Sequence, residues 1–291
     1  MLQRTGHPTG RDRTAARRPL LCGGLWASMV IVAMLTGCAA ASSTTSPIEH
    51  RVQGTGTPVV VFQSGLGDGA AVWQAVQTEL GRVTTTVALS RPGYGRTPMR
   101  EGSRSPCEVA ELTRQFLRAS GWSPPYVLVG HLLGGLYQYA FARRYPQEVA
   151  GLVLLDPTHP QHWNTLQRQV PALAAVIKAA RATVFTAPMR REFDDQSLCS
   201  GQLQGQALPA VPVRLLVRER FTGIESGAFE RVVHELEGDW SERLGCVAVT
   251  RVAGGGHYLQ RDQPRAVSDA IAAVVAVARA QRNAARRADR S

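Results

Sequence analysis

The chain is 291 residues long and 44% hydrophobic, with 33 Lys and Arg against 22 Asp and Glu for a net charge of +11. That charge suggests nucleic acid until it is divided: five arginines and one aspartate precede Cys38, the same numbers lie from Arg279 onward, and the middle keeps only +3. With the basic excess at the ends and no nucleic-acid motif beside it, nucleic acid is excluded as a partner.

Residues 1–37 carry Arg4, Arg11, Arg13, Arg17 and Arg18 ahead of an apolar run from Leu20 to Gly37, which leads into Leu35-Thr36-Gly37-Cys38. This resembles a bacterial lipoprotein export signal, in which small residues before a cysteine admit a signal peptidase. By that resemblance the thiol of Cys38 carries a lipid. The same run also approaches the length of an uncleaved membrane span. Either way the basic end stays inside, so the expected location is the bacterial cell envelope, lipid-anchored and extracytoplasmic. Residues 38–47, rich in Ala, Ser and Thr, read as a tether. About 230 residues, 48–278, then suffice for one domain with a sizeable core. Residues 279–291 form a basic tail, read as a solvated helix end that touches anionic lipid.

Along the domain, Val59-Val60-Val61-Phe62 runs into Gln63-Ser64-Gly65-Leu66-Gly67, and Arg91-Pro92-Gly93-Tyr94-Gly95-Arg96 follows as a turn. Ser105-Pro106-Cys107-Glu108 reads as a capping box with proline at the first helical position, opening a helix that Gly121 closes. Tyr126-Val127-Leu128-Val129 is a buried strand and 133–144 a packed helix. Between them lies Gly130-His131-Leu132-Leu133-Gly134-Gly135, the frame of a G-x-S-x-G elbow with leucine where serine stands. Leu152-Val153-Leu154-Leu155 ends in Asp156-Pro157, a carboxylate and a proline that cannot continue the strand. An insertion over about 158–210 holds an apolar helix at 171–180, which either roofs a pocket or packs on the core. The strand at 213–217 is followed by Arg218, Glu219, Arg220 and Phe221, with no aspartate. A last strand at 247–252 leads to Gly254-Gly255-Gly256-His257.

These landmarks, in this order, resemble the α/β-hydrolase fold family through most of residues 50–278. The resemblance implies an α/β fold with a doubly wound, mostly parallel sheet and a small helical cap at about 158–210. It also implies site roles. Leu132 stands at the nucleophile position, unable to attack a carbonyl. His257 fits the base, and Asp156 the acid that orients it, with Glu219 as the alternative. The backbone N–H groups of Leu66 and Leu133 fit the oxyanion donors, and Ser64 shapes their loop. No cofactor is implied.

Cys107, Cys199 and Cys246 remain in the domain, so an oxidising compartment permits one disulfide and leaves one thiol, and the sequence does not choose the pair. No Cys-x-x-Cys occurs, and His159 with His162 reads as a loop pair, so no metal site is expected. Three functions stay open. One is an impaired hydrolase binding a small apolar, acyl-like ligand; another is an active ester, amide or lactone hydrolase that uses water or another nucleophile. The last is a structural or protein-binding envelope component.

Overall fold

The structure is a computed structural model that describes residues 48–288 and Arg290. The expected export signal, the lipid on Cys38 and the tether lie outside the described residues. Among the described residues no helix is long and apolar enough to cross a membrane.

Seven strands form one sheet in the order β1-β3-β2-β4-β5-β6-β7. They are β1 (His50–Gln53), β2 (Val60–Gln63), β3 (Thr86–Leu89), β4 (Tyr126–His131), β5 (Val149–Leu155), β6 (Val213–Arg218) and β7 (Val249–Val252). Only β1 runs antiparallel, against β3; every other pair is parallel. Each residue of β2, β3 and β4 is buried, which explains the near-continuous apolar runs: helices cover both faces. Alternation along the strands sorts the two cores. Val61, Val87, Leu128, Leu152 and Leu215 face α2 (Pro106–Ala119), α3 (Leu133–Arg144) and Trp240 of α8 (Ala228–Arg243). Phe62, Ala88, Val129, Val153 and Leu216 face α1 (Gln74–Leu80), Leu259 of the short α9 (Leu259–Asp262) and the last helix, α10 (Pro264–Ala288). The mostly parallel, doubly wound sheet is the one expected.

Local chemistry sets the helix ends. Ser105 Oγ accepts the Glu108 N–H at 3.2 Å, and Pro106 opens α2. The return arm of the box differs from expectation: Ser103 Oγ, not Glu108, accepts the Ser105 N–H at 3.1 Å. The last strand starts at Val249 rather than 247, because Cys246 at φ 60° still belongs to the turn and the Val247 carbonyl accepts the Ser241 hydroxyl at 2.6 Å. Helix α10 continues to Ala288, and within it Arg279 donates to the carbonyls of Thr57 (2.7 Å) and Val83 (2.9 Å).

Between β5 and β6 lies the expected helical cap: α4 (His162–Gln169), α5 (Pro171–Thr183), α6 (Ala187–Asp195) and α7 (Ser200–Gln204). Its ties to the body include a disulfide and a buried ion-pair cluster. The first is a Cys107–Cys199 disulfide with Cα atoms 6.2 Å apart, which leaves Cys246 as an exposed thiol. The second is Glu192 of α6, wholly buried against Arg91 and Arg104. Helix α5 packs lightly, with Ala174 its one buried residue and Val176 53% exposed. It roofs the molecule rather than joining the core.

Candidate active site

The carboxyl ends of β2, β4 and β5 come level, with Gln63 opposite Gly130 and His131 opposite Leu155, where open parallel sheets place their ligands. There β4 turns into α3 through Leu132, at φ 51° and ψ −121°. This is a left-handed setting that costs a branched residue on the order of 1–3 kcal/mol. It persists because its neighbours hold it. The Leu132 N–H donates to the Leu155 carbonyl at 3.1 Å, and the Leu132 carbonyl accepts from Gly135 and Thr158, both at 2.9 Å. Glycine is required beside it: a Cβ on Gly130 would sit 2.3 Å from the Gly134 carbonyl oxygen, and one on Gly134 2.2 Å from that of Gln63. The elbow is thus built in full, with a half-buried leucine at its apex.

His257 reaches the same place from the loop after β7. Glu219 Oε2 accepts the Gly254 N–H (2.7 Å), Asp262 Oδ2 accepts the Gly256 N–H (2.8 Å), and the Gly255 carbonyl accepts from both Glu219 and Arg220. His131 Nε2 donates to the His257 carbonyl at 2.9 Å. The imidazole Nδ1 lies 2.7 Å from Asp156 Oδ2. Assigned from this network, Nδ1 carries the proton and Nε2 is left as an acceptor. Of the two carboxylates expected from the sequence, Asp156 is the one brought to His257. Glu219 is not, since it is exposed and spent on the glycine loop.

Asp156 is also shared. Arg218, the last residue of β6, donates Nε to Asp156 Oδ2 at 2.8 Å and Nη1 to Glu225 Oε1 at 2.6 Å. Its Nη2 stands 2.6 Å from both Asp156 Oδ2 and His257 Nδ1. Burial alone would raise the Asp156 carboxyl, but the hydrogen bond from His257 and the charge of Arg218 outweigh it and hold the group well below the usual carboxylate range.

A family model described as the α/β hydrolase fold matches residues 58–208, just over half of the chain. The chain belongs to the α/β-hydrolase fold family. The esterase Rv0045c of Mycobacterium tuberculosis is 35% identical over 141 residues, which are 48% of this chain and 44% of that protein. YbdG of Bacillus subtilis is 30% identical over 115 residues, 39% and 35% respectively. The chain thus spans less than half the length of these curated relatives. Among solved structures, a thermophilic esterase from Thermogutta terrifontis superposes with a TM-score of 0.54 at 19% identity, over 79% of this chain and 94% of that one. The protein DBJA does so with a TM-score of 0.63 at 19% identity, over 80% and 96%. At such identities the likeness carries the fold alone.

The oxyanion donors expected from the sequence are the Leu66 and Leu133 N–H groups, and the peptide that carries the first is held by Arg91. Arg91 donates Nη1 to the Ser64 carbonyl (2.7 Å) and Nη2 to the Gly65 carbonyl (2.8 Å). A trans peptide points its C=O and N–H in opposite directions, so the clamp on the Gly65 oxygen turns the Leu66 N–H away from Arg91. The Leu133 N–H, first in α3, has no acceptor within its helix and lies at the positive end of the helix dipole. Ser64 is wholly buried; its Oγ donates to the Gly69 carbonyl (2.9 Å) and accepts from Trp73 Nε1 (3.0 Å), so it shapes the loop as expected.

A cavity of about 190 Å³ opens beside this group under the cap, bordered by Leu132, His257, Ile177 of α5 and the Phe229–Trp240 side of α8. His159 and His162 border it as well. His159 pairs with Asp239, and burial pushes both imidazoles down to about 4. Among the described residues no three His, Cys, Asp or Glu side chains are grouped to hold a metal ion. Sequence reasoning missed Arg218 as a partner of the acid, although it stood in the window inspected for a carboxylate. It also missed the Arg91–Glu192 clamp, whose partners lie about a hundred residues apart with no local signal.

Proposed function

We propose that this α/β-hydrolase family protein is impaired as a serine hydrolase and that its cavity binds an apolar, acyl-like ligand. One observation carries the proposal: the apex of an otherwise complete elbow is Leu132, which borders the cavity together with His257. Without a hydroxyl no acyl-enzyme forms there, and the leucine methyls occupy the space through which a scissile carbon would approach to about 3 Å. Removing the serine of a protease triad costs on the order of a millionfold in turnover, or roughly 8 kcal/mol. Backbone donors survive the side-chain change, so the site keeps its means of holding a carbonyl. An apolar cavity beside His257 favours ligand binding over a purely structural role.

The purified full chain is expected to be silent toward a panel of chromogenic esters and toward a fluorophosphonate probe. Leu132→Ser is expected to gain both signals, with ester turnover at least about a hundredfold above the parent. Robust turnover or labelling of the parent chain would overturn the proposal. The 2.7 Å contact between His257 and Asp156 favours a second reading, hydrolysis by a water activated at His257. Parent activity that vanishes in His257→Ala selects that second reading.

A further inference from the structure

A second cavity, of about 130 Å³, shares no bordering residue with the one beside His257. Its walls are apolar at Ile48, Leu89, Pro92 and, from α2, Val109 and Leu112. Arg104 borders it too, although only 4% of that residue is exposed.

The Arg104 guanidinium is short of acceptors. Glu192 is already held by Arg91, through Nε at 2.7 Å and Nη2 at 2.9 Å, and by the Tyr94 hydroxyl at 2.8 Å. Arg104 Nη1 reaches the same carboxylate only at 3.4 Å, beyond the roughly 2.7–2.9 Å of a full charge-assisted bond. Its Nη2 meets the thioether of Met99 at 3.2 Å, a weak acceptor. Arg104 Nε has no partner among the described residues, yet it is not sealed, so it is a donor open to the cavity that Arg104 borders. Charge points the same way. Two buried arginines, 91 and 104, stand against one buried carboxylate, Glu192, which leaves one positive charge in excess. Asp195 accepts the Arg104 backbone N–H at 2.6 Å and the Ser103 hydroxyl at 3.0 Å, but makes no ion pair with the guanidinium among the described residues. The other charges bordering the cavity, Arg100, Glu101 and Glu108, are exposed and screened by solvent.

We propose that this cavity is a binding site for a short aliphatic carboxylate, whose oxygens accept from Arg104 Nε while its hydrocarbon lies against Leu89, Val109 and Leu112. Mostly apolar walls with one convergent polar group are the usual make-up of a small-molecule site. A monoanion matches the single charge in excess, whereas a phosphate dianion exceeds it and meets Glu101 and Glu108 as well. About 130 Å³ corresponds to roughly four waters at about 30 Å³ each, room for a small acid and not for a fatty acid. The site is independent of the acyl-binding reading, since it uses neither Leu132 nor His257.

The test is isothermal titration calorimetry on the full chain with butanoate, with butanamide, which has the same shape without the charge, and with inorganic phosphate. Butanoate is expected to bind at least about tenfold more tightly than butanamide, as a hydrogen bond between charged groups provides. The preference disappears in Arg104→Met, which keeps the unbranched stem and leaves Glu192 bonded to Arg91 and Tyr94. Leu112→Trp, which narrows the cavity and leaves Arg104 in place, is the second variant and weakens both ligands. Equal binding of butanoate and butanamide by the parent chain, or binding of neither, overturns the proposal. A preference for butanoate that survives Arg104→Met overturns it as well, because the anion is then held elsewhere, and so does butanoate affinity unchanged by Leu112→Trp. Phosphate bound more tightly than butanoate overturns the assignment to a carboxylate.

Discussion

Acidification from pH 7 to pH 5 should weaken the fold through its buried histidines, and His131 shows how much. It is wholly buried behind the elbow, donates Nε2 to the His257 carbonyl, and has no partner for Nδ1 among the described residues. Burial, reinforced by the neighbouring His257, pushes its pKa down to about 3. In the unfolded chain an imidazole titrates near 6.5, so between those values the unfolded state binds the extra proton. Stability is therefore complete above about pH 6.5 and declines as pH falls, by roughly 1.4 kcal/mol per unit for each such group. By pH 5 His131 accounts for about 2 kcal/mol. His159, pushed down to about 4 by burial against the opposing pull of Asp239, adds a similar amount, while the half-buried His162 adds less because solvent screens it. Asp156 is silent in this window, since a depressed carboxyl loses its contribution only below about pH 4. The expected loss, about 4 kcal/mol by pH 5, is a large part of the roughly 5–15 kcal/mol that domains possess. Urea unfolding at pH 7, 6 and 5 measures it as a falling midpoint at constant slope. Equal stability at pH 7 and pH 5, or an NMR titration of the His131 ring near 6.5, refutes the reasoning.

Opening the Cys107–Cys199 bond frees a loop spanning 92 residues, worth roughly 4–5 kcal/mol by chain entropy and typically about 2–4 in practice. A reductant, or Cys107→Ser with Cys199→Ser, should lower the melting midpoint accordingly, and an unmoved midpoint would mean the bond contributes nothing. Glu192→Gln leaves Arg91 and Arg104 without a counter-charge in a buried site and should cost about 3–5 kcal/mol, read by denaturant unfolding. A change below about 0.5 kcal/mol would place it with ordinary surface substitutions and contradict the clamp.

The features that could be read from sequence are those written in adjacent residues. The elbow glycines are needed because backbone approaches backbone there, so Gly130-His131-Leu132-Leu133-Gly134 marks the turn by itself, and α3 spans the residues expected, Leu133–Arg144. Buried parallel strands show as unbroken apolar runs for the same local reason. What escaped depends on residues far apart in the chain. Arg218 looked like the lack of an acid until β5 and β6 brought it beside Asp156. Three cysteines allowed three pairings, and only the fold, which brings Cys199 just before α7 to Cys107 of α2, selects one. Arg104 precedes a legible helix start, but its want of an acceptor becomes visible only when Arg91 is placed on Glu192.

Arg91 gives the cap and the loop after β2 a common rivet. The guanidinium that grips the Ser64 and Gly65 carbonyls also holds Glu192 of α6, through Nε at 2.7 Å and Nη2 at 2.9 Å. Lifting α6 would strand this cation in a dry interior, and at a cost of about 4 kcal/mol a detached α6 is present in roughly one molecule in a thousand. The α6 end of the cap therefore stays seated, and the Gly65–Leu66 peptide is held in one orientation with it.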